Sequence, residues 1–172
     1  MVLLCVVYPL MVAFAGGFSK GNGGGEKVTV NGEVKGYALL GQSFTQPQYF
    51  WGRPSAIGYN AAGSGGSNKG ASNAAYLEEV ENRIDTLLKH HPYLKKENIP
   101  ADLVTASGSG LDPDISAQGA IIQIKRIAAY RGIDEKRIAE LVVKHTTGPF
   151  LGLFGPTTVN VLQLNVALDH LK

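Results

Sequence analysis

The sequence predicts an α+β fold, with one N-terminal transmembrane helix followed by a single mixed αβ domain. Three observations predict it. Met1 to Phe18 carries no charge and is nearly all apolar. Asn31-Gly32 lies between short β-branched runs, a strong local hairpin signal because both residue types accept positive φ. From Asn73 onward, apolar residues recur at helical spacing, punctuated by Gly and Pro.

Residues 1–18 are read as the membrane helix. A span needs about 20 apolar residues, so the run is slightly short. Ala13-Phe14-Ala15 resembles a signal-peptidase site, but no basic segment precedes the apolar run. We therefore expect the second half of a transmembrane helix whose first turns precede Met1. A released signal peptide and a buried core helix are the alternatives. Pro9 is tolerated where neighbouring helices cover the freed backbone groups. Tyr8, Pro9, Ala13, Gly16 and Gly17 are the expected packing residues, since small side chains allow close approach of helices in lipid. Lys20, Lys27 and Lys35 follow the run; taken alone they would keep the body in the cytoplasm, but a missing N-terminus leaves that count incomplete.

Residues 19–25 form a Gly-rich tether, and 26–172 the domain. Leu39 to Phe44 reads as a strand after the hairpin. The chain then reaches its most distinctive stretch, Tyr49 to Asn73. Tyr49, Phe50, Trp51 and Arg53 stand directly before a long run of Gly, Ser, Asn and Ala. Such a run gains little from burial, yet its backbone polar groups still need partners. The aromatics and Arg53 argue for an ordered, functional surface rather than a flexible linker.

Helices follow. Asn73 caps one through roughly Leu88, with Leu77, Val80, Ile84, Leu87 and Leu88 on one face and Pro92 closing it. Ser116 caps a helix to about Tyr130, with Ala120, Ile121, Ile124, Ile127 and Ala128 inward and Gly132 as C-cap. Asp134 starts a third, with Ile138, Leu141 and Val142 inward. Thr147 to Gly155 is a Gly/Pro-broken apolar loop. Val159 to Leu171 is the last helix.

Composition narrows the function. Hydrophobic residues make up 44% of the 172, enough for a core, and the formal charge is only +2 with no Lys/Arg block, which argues against nucleic acid. A single cysteine, Cys5, excludes an internal disulfide and a multi-cysteine metal site. Gly63 to Gly70 lacks the second Gly before Lys69, and Gly70 stands where a phosphate loop needs Ser or Thr. Ser107 and Ser109 lack the glycine flanks of a nucleophile elbow. His90-His91 are adjacent, so they diverge on a helix and read as a solvated helix end. Asp112 and Asp114 flank Pro113 as turn residues. No catalytic set and no metal site assembles.

Several stretches carry a resemblance. They are Tyr49-Phe50-x-x-Arg53-Pro54-Ser55-Ala56, Tyr59-Asn60-Ala61, Ser64-Gly65-Gly66-Ser67-Asn68 and Ser72-Asn73. Asp102 to Asp112, Val159 to Asp169 and Tyr8-Pro9-Leu10 continue it. In this order they resemble the C chain of the bacterial Kdp-type potassium-transporting ATPase, over almost the whole length. The resemblance implies one membrane helix and an extracytoplasmic domain, anchored single-pass in the cell inner membrane and in contact with lipid. It implies assembly with a potassium-conducting subunit, an ATP-hydrolysing P-type subunit and a small membrane subunit. The role it implies is a non-catalytic, chaperone-like one that raises the pump's affinity for ATP.

The sequence departs from the family pattern at Lys69, at Ala74 and at Gly155-Pro156. At Asp134-Glu135-Lys136-Arg137, Arg137 replaces a glutamine linked to nucleotide binding. ATP is therefore expected only in the assembled complex, with no cofactor bound by this chain alone. The candidate partner-binding residues are Tyr49, Phe50, Arg53, Pro54, Tyr59, Asn60, Ser64, Gly65, Gly66, Ser67 and Asn68, with Thr105, Ser107, Ser109 and Asp112. An exported soluble binding protein released after Ala15, and a hydrolase using Ser107 or Ser109, are the alternatives.

Overall fold

The computed structural model describes residues 1–171, which fall into two compact units, one over residues 1–39 and the other from Leu40 onward. The first unit opens with a π-helical stretch, Leu3–Val7, continued by helix α1, Tyr8–Gly16. No helix among the described residues is long and apolar enough to cross a membrane. The transmembrane helix expected over residues 1–18 is thereby corrected. The apolar run is already slightly short of a span, and the helix is shorter than the run. Pro9 lies in the first turn of α1, where its missing N–H and its ring disturb the preceding turn. Gly16-Gly17 ends the helix, and Gly17 serves as C-cap. Five π-helical and nine α-helical residues rise roughly 20 Å at about 1.5 Å each, against a hydrocarbon core of about 30 Å. Tyr8, Pro9, Ala13 and Gly16 lie in this short helix.

Strands β1, Lys27–Val30, and β2, Glu33–Tyr37, form the expected antiparallel hairpin. Asn31 and Gly32 both take positive φ, 52° and 82°, which matches the hairpin's twist. A bulge falls between Val28 and Thr29.

At the start of the second unit, the strand expected over Leu39 to Phe44 does not form. Gly41 instead packs backbone to backbone. A Cβ there would lie 2.4 Å from the Asp112 carbonyl oxygen, and the Gly41 N–H donates to the Leu111 carbonyl at 2.8 Å. Helix α2, Ala74–His90, is capped by Asn73, whose side chain accepts from the Tyr76 N–H. Only Leu87 of its apolar face is fully buried, and Leu77 is exposed.

Strand β3, Asp114–Ser116, leads into helices α3, Ala117–Ile121, and α4, Ile124–Arg131. Ser116 caps the first and Gly132, in the left-handed region, closes the second. The single helix read from the sequence is therefore split near Ile122. The break turns Ile122 inward and leaves Ile121 exposed. Helix α5, Glu135–Lys144, is capped by Asp134. Strands β4, Thr146–Thr147, and β5, Thr158–Asn160, complete an antiparallel sheet in the order β3-β5-β4. Helix α6, Val161–Asp169, starts at the Asn160 cap, so Val159 belongs to the strand. Ile115 and Val159 pair across the sheet and are both buried. They meet Ile127, Ile138, Leu164 and Leu168 in one core.

Phe50 enters that core from a segment with no secondary structure and is fully buried. Asn165 of α6 makes this tolerable. Its Oδ1 accepts from the Phe50 N–H at 2.8 Å and its Nδ2 donates to the Phe50 carbonyl at 3.0 Å. One side-chain amide thus does for Phe50 what a neighbouring strand would do. Asn165→Leu keeps the volume but strands both backbone groups, at about 1–3 kcal/mol each. A chemical-denaturation curve should show the midpoint falling by an amount equivalent to about 2–5 kcal/mol with little change in slope; an unchanged midpoint contradicts this account.

Candidate functional site

The site is built in two parts. The first is the strip Gln46 to Arg53, held by side chains reaching out from helices. The buried Arg126 of α4 donates from its guanidinium to the carbonyls of Pro47 (2.7 Å) and Tyr49 (3.0 Å) and to Gln123 Oε1 (2.7 Å). Gln123 accepts from the Trp51 N–H at 2.8 Å and donates to the Trp51 carbonyl at 3.2 Å. Arg131 donates to the Gln48 carbonyl at 2.8 Å and pairs with Asp169 at 2.7 Å. The Tyr49 hydroxyl also reaches Asp169, and Arg131 lies over the Tyr49 ring. Successive backbone groups from Pro47 to Trp51 therefore find partners without a sheet.

Trp51 lies over Arg126, 4.0 Å from its ring centroid to the guanidinium carbon, with His90 and His91 edge-on at 5.0 and 5.9 Å. No carboxylate pairs with Arg126 among the described residues. Carbonyl dipoles and an aromatic face take that place. Burial lowers the Arg126 pKa to about 10, which leaves it a cation at neutral pH. Its Nε donates to His91 Nε2 at 3.0 Å, while His91 Nδ1 lies 2.8 Å from the Leu87 carbonyl. A carbonyl only accepts and the guanidinium only donates, so the imidazole proton sits on Nδ1. His91 is thus a buried neutral link and not the solvated helix end the sequence suggested. Burial, with the neighbouring Arg126 charge, pulls its pKa down to about 4.

The second part is a clasp that joins two loops rich in small residues. The Ser107 N–H donates to the Pro54 carbonyl at 3.0 Å, and the Gly65 N–H to the Ser109 carbonyl at 2.9 Å. Ser64 donates to the same Ser109 carbonyl, and the Ser55 hydroxyl to the Gly110 carbonyl at 2.7 Å. The Arg53 guanidinium pairs with Asp112 at 2.9 Å. The Tyr59 hydroxyl donates to the Arg53 carbonyl, and burial pushes that phenol's pKa up. Ser107 Oγ accepts from the Gly110 N–H and Ser109 Oγ from the Leu111 N–H, so both hydroxyls close turns.

The structure therefore brings together Arg53, Pro54, Tyr59, Ser64, Gly65, Gly66, Ser107, Ser109 and Asp112. Asn60 caps its own turn through Ala62. Thr105 bonds back to Ala101. Ser67 is half-buried, and Asn68 is exposed with φ 53°. Tyr49 and the buried Phe50 belong to the helix-bound strip. Sequence reading missed Gln123, Arg126 and Asn165, which sit at helical positions like any other polar residue. Their only signal was a polar residue on an otherwise apolar face.

Two clefts open beside the clasp. One, of about 310 Å³, is lined by Phe44, Trp51, Pro54, Tyr59, Thr86 and His90 among others. The other, of about 740 Å³, holds Asp102, Asp112 and Asp114. Burial and the nearby Asp112 charge raise the pKa of Asp114. Asp102 is committed to the Ser116 N–H and hydroxyl. Among the described residues no group of three His, Cys, Asp or Glu could hold a metal ion. Arg53 borders both clefts, and its Nε is buried without a partner.

Fold and site define a small α+β protein whose distinctive polar residues brace a surface rather than activate a nucleophile. Residues 1–170 match the family described as KdpC: K+-transporting ATPase, c chain. The chain is 57% identical over 172 residues to a potassium-transporting ATPase KdpC subunit of Flavobacterium johnsoniae, covering 100% of this chain and 92% of that one. A subunit of the same name from Flavobacterium psychrophilum is 57% identical over 171 residues, covering 99% and 92%. One from Bacteroides fragilis is 52% identical over 174 residues, covering 99% and 91%. The chain belongs to the KdpC family: it is an accessory subunit of the potassium-transporting ATPase and not the catalytic one.

Two predictions follow from this geometry. His91 has its folded pKa below its unfolded value of 6.5, so it adds stability above about pH 6.5 and loses it as pH falls toward 4. The full loss is about 3 kcal/mol at ~1.4 kcal/mol per unit. His91→Gln should flatten the fall of stability with acid across that window, measured as the difference between the two chains' denaturation curves. Separately, Gly110 has φ +68° and a Cβ there would lie 2.5 Å from Ile57 and 2.7 Å from the Gly65 carbonyl oxygen. Gly110→Ala should destabilise the fold by about 2–4 kcal/mol, with proteolytic cutting appearing between Asn60 and Gly70.

Proposed function

We propose that this chain acts by binding energy within the pump and performs no chemistry of its own. It stabilises assembly with the potassium-conducting, ATP-hydrolysing and small membrane subunits, at the extracytoplasmic face of the inner-membrane complex. Through those contacts it raises the ATP affinity of the hydrolysing subunit. One observation supports this best. The serines, Asp112 and Arg53 of the clasp are bonded to backbone and to one another, which leaves an aromatic groove on a stiff frame.

The groove lined by Phe44, Trp51, Pro54 and Tyr59 is the contact surface we assign to a partner subunit. Tyr and Trp offer apolar area with a polar tip, and interface energy concentrates in such anchors. Arg53, with its unpartnered buried Nε, holds the groove wall. The segment at Asp134 serves as a helix cap, Oδ1 accepting from the Lys136 N–H at 2.8 Å, and in our reading ATP belongs to the hydrolysing subunit.

Thr86 tests the reading, because it lines the groove and is exposed. Thr86→Arg fills the groove without replacing any residue of the clasp. The thermal midpoint of the purified chain should move little, as for most exposed substitutions. Co-purification with the other subunits, and the complex's potassium-stimulated ATPase activity, should both fall at least tenfold, about 1.4 kcal/mol of binding. Full assembly and activity with this variant would refute the groove as the contact surface.

A further inference from the structure

We propose that the hairpin tip between β4 and β5 inserts into the surface of a lipid bilayer. The segment from Thr146 to Thr158 contains no charged residue. Phe150, Leu151, Leu153 and Phe154 are 72, 75, 82 and 64% exposed. Exposed apolar clusters of this kind mark interaction sites.

Two features select lipid over a protein pocket. The first is the backbone. The Phe150 N–H donates to the Phe154 carbonyl at 2.8 Å and the Phe154 N–H returns to the Phe150 carbonyl at 2.9 Å. The Gly152 and Leu153 N–H groups are satisfied by Pro149 and Phe150 at 3.0 and 3.1 Å. With these four N–H groups closed within the turn, the tip strands fewer donors as it leaves water, which lowers the cost of entering the bilayer surface. The second is that all four large side chains are exposed together around one tight turn. A protein groove takes one face of such a tip, whereas acyl chains surround it. Leu151 even occupies a left-handed conformation, φ 53°, where Asn or Gly would be less strained. Below the tip, Thr147 pairs with Thr158, and Thr147 and Thr157 are exposed, which puts short hydroxyl side chains at the headgroup level. Apolar segments of this size bury a few ångströms, about 5–10 Å, into that region.

This inference is independent of the groove. The test uses the full chain with Cys5→Ser and Leu153→Cys, carrying an environment-sensitive fluorophore at residue 153. A second chain carries the same label at Glu78→Cys on α2. Each is bound to phosphatidylethanolamine–phosphatidylglycerol vesicles and recovered by flotation. At residue 153 the emission should shift to the blue, lose its quenching by aqueous iodide, and gain quenching by nitroxide-bearing lipids. At residue 78 none of this should occur. Adding Phe150→Asp and Phe154→Asp should restore iodide access at 153. Failure to float, iodide access unchanged at 153, or protection from iodide without nitroxide quenching would each overturn the proposal, the last in favour of a protein contact.

Discussion

The Arg126 guanidinium is the interaction on which the second unit depends. It is buried with no carboxylate opposite it, a costly state unless polar groups surround it. The Pro47 and Tyr49 carbonyls, Gln123, His91 and the face of Trp51 supply those groups. The dependence runs both ways. The cation needs the strip's carbonyls, and the strip needs the cation, because it has no strand beside it. His91 ties the end of α2 into the same set, and Arg126 also receives the Tyr93 hydroxyl's company through its own backbone N–H at 3.1 Å. Three elements distant in sequence are thus positioned by one side chain.

The clasp solves a different problem. Two loops must approach closely, and side chains would keep them apart. Gly66 faces Gly108, where a Cβ would lie 3.0 Å from the Gly108 carbonyl oxygen. The glycines here serve closeness rather than flexibility, and the serines supply hydrogen bonds with little bulk. A surface made this way is stiff, so binding to it would carry little ordering cost. Its aromatic neighbours Trp51 and Tyr59 provide the area that the small residues lack.

Stiffness in one place contrasts with exposure in another. The β4–β5 tip contributes nothing to the core, yet it carries two Phe and two Leu side chains. Four of its N–H groups are bonded within the turn, so the turn is held locally. That separation lets an apolar tip persist on a folded surface.

Local chemistry was legible in the sequence. Asn73, Ser116 and Asp134 cap the helices they announce, Gly132 ends α4 with positive φ, and Asn31-Gly32 turns the hairpin. Each needs only neighbours within a few residues. The family was legible too, since its motifs are runs of residues. Tertiary structure decided the rest. Strands of two or three residues have no periodicity to read, so β3, β4 and β5 exist only through pairing. Leu39 to Phe44 reads as a strand in the sequence but packs as a loop, because Gly41 must fit against Asp112. Composition counted 18 uncharged residues at the start, whereas Pro9 and Gly16-Gly17 set where the helix begins and stops. Arg126, Gln123, His91 and Asn165 are single polar residues whose sequence neighbours say nothing of their partners. The bonds of Arg126, Gln123 and Asn165 to Pro47 through Trp51 span long separations, and only the packing of α4 and α6 brings them within reach.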